Sequence, residues 1–346
     1  MLPNPHASPK LVTPAMVVTL MFLATVPLWI ERIGLYPYLG VEILIWSIYA
    51  LGFNLLLGYT GLPSFGHGAY FGVGAYAFGL TQFNISTNLW ICLAIAIFAS
   101  TIVGAIVSLF ISHRRGIYYA FMTIAFGQVF WFVAVKAHTI TGGEDGLLKI
   151  VRMPADIGVA RFDLTSNGSF YYFVLACFAI VVVALWRLVN SPFGRTLQAI
   201  KQNETRATFV GYDVWRFKVV VFTLSAAISG FAGGLFAMAQ TSAFPDVMSL
   251  HHSGYIVMMT LIGGGFVSFW GPVVGAAAYL LTRDIVGAYT AAWMFWFGMF
   301  FVLIVLFKPE GIAGAAIDLK AWWMRRRGAA TARNPVKETG GSHGAV

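Results

Sequence analysis

The polar side chains that could do chemistry in this chain lie inside or beside long apolar runs. They are few: Asn54, Ser64, His67, Gln128 and Ser268. At membrane depth such groups can line a solute path, relay a proton or join two helices by a hydrogen bond. For Asn54 and Gln128, helix pairing and path lining fit the pattern equally well. For His67 we favour a histidine satisfied at a helix start over a proton relay.

Glycines interrupt the apolar runs at two places. Residues 58–68 contain Pro63 between glycines, and a Gly263–Gly265 break follows about 200 residues later. Residues 61–65 match residues 265–269 at three of five positions. Paired glycine-interrupted segments are typical of internal repeats around a translocation path, so we treat this repeat as a hypothesis. The candidate path residues are therefore Asn54, Ser64, His67, Gln128, Gly264 and Ser268.

No catalytic or metal-ligating constellation accompanies these residues in the sequence. His67 has no cysteine or acidic residue near it, and Cys92 and Cys177 lie in apolar runs, where a thiol behaves as a small hydrophobe. The sequence also has no Gly-x4-Gly-Lys-Ser/Thr stretch to cradle a phosphate. We predict no catalytic site, no metal and no cofactor in this chain, and an intramembrane enzyme is the least favoured function class.

Composition defines the elements that must position these residues. Of 346 residues, 59% are hydrophobic and 10% charged, whereas a soluble domain carries roughly 25% charged residues. Continuous apolar runs of about 20 residues predict membrane-crossing helices and disfavour strands. We predict an all-α polytopic bundle of about 8–10 transmembrane helices, including broken or re-entrant segments. The runs are residues 14–30, 38–58, 65–83, 88–112, 116–137, 169–189, 217–240, 254–262, 271–282 and 288–307.

Lysine and arginine predict the orientation. Arg114 and Arg115, the loop at 190–216 and the tail at 308–346 are basic, which places them in the cytoplasm together with residues 1–13. Residues 14–307 then form one transmembrane domain, and the loop at 138–168 lies outside. Segment 254–282 is either a re-entrant hairpin or part of three full crossings. Because topology and lipid headgroups explain the net charge of +9, we expect no nucleic-acid partner.

The cytoplasmic loop at 190–216 has a pattern of its own. Ser191 and Pro192 open a short helix with Leu197 and Ile200 on one face, and a second helical stretch ends at Gly211. A helix pair with an apolar stripe suits docking into a partner's groove. A basic loop resting on anionic lipid explains the charge equally well.

Several motifs, in a fixed order, carry a family resemblance. They are residues 50–61, 64–76, 141–147 (with Thr141, Gly142, Gly143 and Gly146), 194–211 continued by Lys218, the Gly263–Gly265 break with Trp270-Gly271-Pro272, and 308–311. Over about residues 43–311 the chain resembles the LivM-type permeases of branched-chain amino acid ABC importers, the hydrophobic amino acid uptake family. The resemblance implies a bacterial inner-membrane location with both termini in the cytoplasm.

The resemblance also implies a role for the loop at 190–216. In such permeases this helix inserts into a cleft on the ATPase subunit and transmits closure of the nucleotide sandwich. Relatives commonly carry Arg-Glu before Asn-Glu, whereas this chain has Lys201-Gln202 and so lacks one acid. The ATPase-coupling residues carried over are Gly194, Arg195, Ala199, Ile200, Asn203, Glu204 and Gly211.

The expected function is half of the translocation path for a small polar solute. The implied partners are a second, LivH-type permease, two P-loop ATPases that bind ATP and Mg, and a periplasmic solute-binding protein. Branched-chain or related amino acids are the expected solutes, with urea, amides and aromatic acids left open. The alternative is a stand-alone secondary carrier or channel, which normally needs intramembrane charges that are scarce here.

Overall fold

The structure, a computed structural model, describes residues 13–156, 161–308 and 310–319. Residues 1–12 and 320–346 of the predicted cytoplasmic ends lie outside the described residues. The helices are α1 (Pro14–Trp29), α2 (Pro37–Asn54), α3 (Gly68–Asn84), α4 (Leu89–Ile111), α5 (Gly116–Lys136), α6 (His138–Thr141), α7 (Asn167–Asn190), α8 (Pro192–Gln202), α9 (Glu204–Phe209), α10 (Val214–Gln240), α11 (Leu250–Gly263), α12 (Gly271–Tyr289), α13 (Trp293–Phe307) and α14 (Gly311–Leu319).

The prediction of an all-α polytopic membrane protein is confirmed. Among the described helices, α2 with its continuation, α4, α5, α7 and α10 are each long and apolar enough to cross a membrane. Helices α13 and α14 are bent by 52° and would together make a sixth span. The shorter helices α1, α11 and α12 complete the bundle.

Short strands, which the sequence disfavours, are nevertheless present in the predicted outer loops. Strands β1 (Leu147–Leu148) and β4 (Ser242–Ala243) pair antiparallel, as do β2 (Ala155–Asp156) and β3 (Arg161–Phe162). Each strand is only two residues long. Loop backbone groups that leave water need partners, and these short ladders supply them without altering the helical class.

Helix α10 lies at the centre of the bundle, packed on α2, α3 and α4. Small residues allow this close approach: a Cβ on Gly233 would collide with the Phe71 carbonyl oxygen, and one on Gly74 with the backbone of Gly230. Glycine-lined contacts are how transmembrane helices bring their backbones together. The α3–α10 crossing therefore requires glycine on both helices.

Two broken hairpins make up much of the bundle. Helix α2 continues as a π-helical turn (Leu55–Thr60) that ends at Gly61, whose φ is +75°, and the chain stays irregular until α3 begins at Gly68. Helix α11 likewise ends at Gly264, whose φ is +86°, before α12 begins at Gly271. The first break lies among helices, where Phe65 N donates to Thr123 Oγ1 (3.1 Å) on α5. Irregular backbone at membrane depth needs such protein partners.

The second hairpin reaches the end of the bundle that carries the predicted cytoplasmic loop at 190–216, which we call the inner end, the opposite end being the outer end. Gly264 lies against the Glu310 carbonyl oxygen, just beyond the end of α13. At the far end of α12, Arg283 binds Glu42 near the start of α2, which is the predicted outer side. Helix α12 therefore runs between the two ends of the bundle. Helix α11 has 14 residues, fewer than the about 20 that a full crossing takes, so three full crossings and a re-entrant hairpin both stay predictions.

Candidate functional site

The predicted cytoplasmic helix pair is present as α8 and α9. Ser191 Oγ accepts from Gly194 N (3.4 Å) at the start of α8, and Asn203 Oδ1 accepts from Arg206 N (2.8 Å) at the start of α9. Such caps satisfy orphan amides of a first turn. A Cβ on Gly194 would collide with the Val189 carbonyl oxygen, so the tight α7–α8 corner needs glycine. Gly211, with φ +98°, follows α9 as predicted.

This helix pair is fastened to the bundle by its own apolar contacts. Ile200 and Ala207 are buried with Val214 in a small cluster separate from the main core, and Phe217 packs against it. Arg195 and Ala199 are exposed on the other face of α8. At the tip of α9, Phe209 is 87% exposed and Val210 is 73% exposed. The helix pair is therefore packed against the bundle through this cluster, and it exposes two apolar side chains, Phe209 and Val210, which we call the α9 tip.

The carboxylate of Glu204 binds two basic side chains of this chain. Its Oε1 accepts from Lys218 Nζ (2.6 Å) on α10 and Arg115 Nε (2.9 Å) before α5. The Lys218 side chain is only 1% exposed, and its Nζ also donates to the Arg114 carbonyl oxygen (3.3 Å). Glu204 therefore ties α9 to two other inner elements. The sequence analysis identified Glu204 as a coupling residue but predicted no partner for it within the chain.

Lys201 joins α8 to both breaks. Its Nζ donates to the Gly58 carbonyl oxygen (2.7 Å) in the π-helical turn and lies 4.7 Å from the centre of the Phe266 ring. A Cβ on Gly61 would be 3.1 Å from Lys201 Cγ. Burial lowers the pKa of Lys201. We call Lys201, Gly58, Gly61 and Phe266 the inner junction.

A cavity of about 460 Å³ opens beside the inner junction. Its lining comes from the end of α2, from α8 and from the second break, so three predicted features meet there. The lining residues are Gly58, Tyr59, Gln198, Lys201, Gln202, Gly265, Phe266, Val267 and Ser268.

Three of the six predicted path residues lie at or next to this cavity. Ser268 lines it, and Gly264 precedes its wall. Asn54 is 1% exposed, and within the described structure neither of its amide atoms has a hydrogen-bond partner. A Cβ on Gly58 or Gly265 would collide with this amide. Asn54 is therefore a buried polar group at the place where the two breaks touch.

Ser64 and His67 lie instead in the packed core. His67 Nε2 is 2.8 Å from Ser225 Oγ, and its Nδ1 is 3.2 Å from Ser64 Oγ. Because the Ser225 hydroxyl donates to the Gly52 carbonyl oxygen (2.7 Å), it accepts from Nε2–H, and in a neutral ring Nδ1 accepts from the Ser64 hydroxyl. Both ring nitrogens of His67 therefore have partners within the chain. The sixth residue, Gln128, is half-buried on α5.

The outer-loop motif builds one wall of a second cavity. Gly142, Gly143 and Gly146 all have positive φ angles, and Thr141 Oγ1 donates to the Ala134 carbonyl oxygen (2.6 Å), which fixes the turn on α5. The turn places Glu144 on a cavity of about 480 Å³. Its other lining residues are Trp131, Val135, Phe236, Gln240, Phe244, Pro245, Asp246, Val247 and His252.

A charge cluster at the outer end was missed by the sequence analysis. Arg283 donates from both terminal nitrogens to Glu42 (2.8 and 2.7 Å), and its Nε donates to Asp284 (3.0 Å). Tyr36 donates to the same aspartate (2.7 Å). Burial, with this hydrogen bond, raises the pKa of Tyr36 to about 12. The available signals were Glu42 within one apolar run and Arg283-Asp284 after another, and neither identifies its partner.

Paired broken hairpins inside a helical bundle are typical of membrane transport proteins. The chain belongs to the family described as the permease component of the branched-chain amino acid transport system, which matches residues 38–307. The comparison thus identifies a transport component of a multi-pass membrane family, and it does not favour the stand-alone carrier.

Relatives from bacteria and archaea agree with this assignment. The high-affinity branched-chain amino acid transport system permease protein LivM of Salmonella typhimurium is 27% identical over 78% of this chain and 68% of its own length. The probable LivM and LivH permease proteins of Methanocaldococcus jannaschii are 23% and 25% identical, over 78% and 77% of this chain and 92% and 87% of their own lengths. No solved structure gives a significant match.

Proposed function

We propose that this chain is a permease subunit of a multi-subunit ABC importer in the bacterial inner membrane. It would form half of the translocation path for branched-chain or related amino acids, with both termini in the cytoplasm. The observation that carries the proposal is the docked helix pair with its exposed α9 tip. Two large apolar side chains that face outward from a short, capped helix suit the groove of a partner protein.

The relatives' names support the choice of partner and solute. Matches to both LivM and LivH permease proteins support a second, homologous permease as the other half of the path. Two P-loop ATPases, which would bind ATP and Mg, and a periplasmic solute-binding protein would complete the importer. The coupling residues would be Gly194, Arg195, Ala199, Ile200, Asn203, Glu204 and Gly211.

The charges buried in the described helices argue against an ion-coupled carrier. Glu42 is bound by Arg283, and Lys218 is bound by Glu204. Ion-coupled carriers normally use intramembrane ionisable groups that exchange a proton or an ion. A charge held by a permanent partner is poorly suited to that exchange.

Affinity purification from native membranes in mild detergent, followed by mass spectrometry, tests the proposal. We expect two P-loop ATPases and a second permease in stoichiometric amounts, and ATP-dependent uptake when the complex is reconstituted with its binding protein. A homo-oligomer that transports solute by itself would overturn the proposal. If the complex is recovered with its binding protein, titration of that protein with amino acids, urea and amides identifies the solute.

A further inference from the structure

The two breaks and the coupling helix α8 meet at one side chain. Lys201 holds the carbonyl oxygen of Gly58, its stem lies against Gly61, and its ammonium lies over the ring of Phe266. The first two contacts belong to the α2–α3 break and the third to the α11–α12 break. Lys201 and Gly58, the partners in the hydrogen bond, are 143 positions apart in the sequence.

We propose that Lys201 is the positioning residue that links the coupling segment to both broken hairpins, so that a displacement of α8 moves the two breaks together. The proposal rests on the proposed function, because it assigns to an ATPase the force that displaces α8. Glu204 and the apolar cluster fasten the helix pair to α10 and to the residues before α5, whereas Lys201 reaches the breaks themselves.

Lys201 is an exposed residue whose ammonium nevertheless makes two contacts at once. A hydrogen bond from a charged donor is about twice as strong as one between neutral groups, and a cation over an aromatic ring adds to it even at an exposed site. The carbonyl oxygen of Gly58 belongs to a π-helical turn, and such turns depart from the regular hydrogen-bond ladder. The ammonium therefore stabilises the turn in its present position.

The breaks are also able to respond. They touch each other, because a Cβ on Gly58 would be 2.7 Å from the Gly265 carbonyl oxygen. Asn54, between them, has no hydrogen-bond partner among the described residues. The adjoining cavity leaves room for Phe266 and Ser268 to shift. A shift of the breaks driven by α8 would therefore change the surroundings of the Asn54 amide and use the volume of the cavity.

The coupling ratio of the reconstituted importer tests the proposal. Lys201→Met keeps the apolar stem against Gly61 and removes the charge, and Lys201→Arg restores it. We expect the number of ATP molecules hydrolysed per solute imported to rise about tenfold in K201M, because both contacts of the ammonium are lost; this factor is equivalent to ~1.4 kcal/mol. In K201R, which keeps the charge, the number should stay within about twofold of wild type. Lys136→Met, the same change at the outer end of α5, is the matched control. An unchanged ratio in K201M would overturn the proposal.

A second measurement needs no ATPase and separates the two proposals. Spin labels at Gln198→Cys on α8 and Val267→Cys on the second break, with Cys92 and Cys177 replaced by Ala, report the distance between these elements in the purified permease. We expect one narrow distance distribution with Lys201 or Arg at position 201, and a broad one in K201M. Equal widths would contradict the link even if the importer is confirmed. A complex without ATP-dependent uptake would contradict the proposed function and leave the distance result standing.

Discussion

Glu204 and Lys218 form an ion pair in which one partner is almost completely buried. The distance from Nζ to Oε1 is 2.6 Å, the lysine side chain is 1% exposed and the glutamate side chain is 21% exposed. The glutamate is thus the charge that allows a lysine to remain buried near the start of α10. Its role in coupling would be exerted through the position of α9, and not through a direct contact with an ATPase.

We expect Glu204→Gln to destabilise the protein by on the order of 3 kcal/mol, because it leaves the Lys218 ammonium buried without its counter-charge. Lys218→Met should remove that penalty, so the double variant should be more stable than Glu204→Gln alone. Denaturation in mixed micelles, followed by circular dichroism, measures the cycle. Asp213→Asn is the matched control, since Asp213 pairs with Arg216 on the surface, and it should cost less than about 1 kcal/mol. Strictly additive losses would show that the pair is unimportant.

The α9 tip provides the second prediction. Phe209→Ser should lower the yield of co-purified ATPase by about tenfold or more, because an aromatic anchor in a partner's pocket is a typical binding hot spot. The free energy of unfolding should change by less than about 0.5 kcal/mol, since the side chain is 87% exposed. Tyr289→Ser, also 87% exposed but at the outer end of α12, should leave the yield unchanged. Full ATPase recovery with Phe209→Ser would place the docking surface elsewhere.

Asn54 allows packing and path lining to be separated. Asn54→Leu should raise the free energy of unfolding by about 1 kcal/mol, because it removes a buried amide without a described partner, and it should reduce uptake if the amide serves the path. Ser47→Ala removes another unpaired buried polar group from α2 and should stabilise without affecting uptake. Destabilisation by Asn54→Leu would indicate a structural hydrogen bond. Normal uptake by the stabilised variant would show that Asn54 does not line the translocation path.

Local signals made the inner segment predictable. Ser191, Asn203 and Gly211 are capping and terminating residues whose preferences act within one helical turn, and the structure has α8 and α9 where they predict. The positions of both breaks followed from Gly61 and Gly264 for the same reason. Glycine at a positive φ is a local requirement and needs no knowledge of the fold.

Long-range partners could not be predicted in this way. The Glu42–Arg283 pair joins residues 241 positions apart, and Lys201 reaches a carbonyl oxygen 143 positions away. Hydrophobic periodicity says which face of a helix is apolar, but continuously apolar spans have little periodicity from which to infer neighbours. The internal repeat stays a hypothesis, to which the structure adds that the two breaks are in contact and that each leads into a further helix.

The tight α11–α12 hairpin gives the last prediction. A Cβ on Gly275 would collide with the Met259 carbonyl oxygen on the neighbouring helix, where a backbone atom cannot rotate away as a side chain can. Gly275→Ala should therefore separate α11 from α12 and destabilise the protein by about 1–3 kcal/mol, as overpacking does elsewhere. Uptake should fall as well, because Gly264 and Ser268 lie in the same hairpin.

Gly254→Ala makes the same substitution on α11 at a position where no described atom lies within 4 Å of the new methyl group. It should be neutral or stabilise the protein by up to about 1 kcal/mol, since alanine is the better helix former. Thermal denaturation of both variants in the same detergent, with uptake measured in parallel, compares them. If Gly275→Ala matched Gly254→Ala in stability, the two helices could not be in contact at this point, and the geometry of the second break would have to be reconsidered.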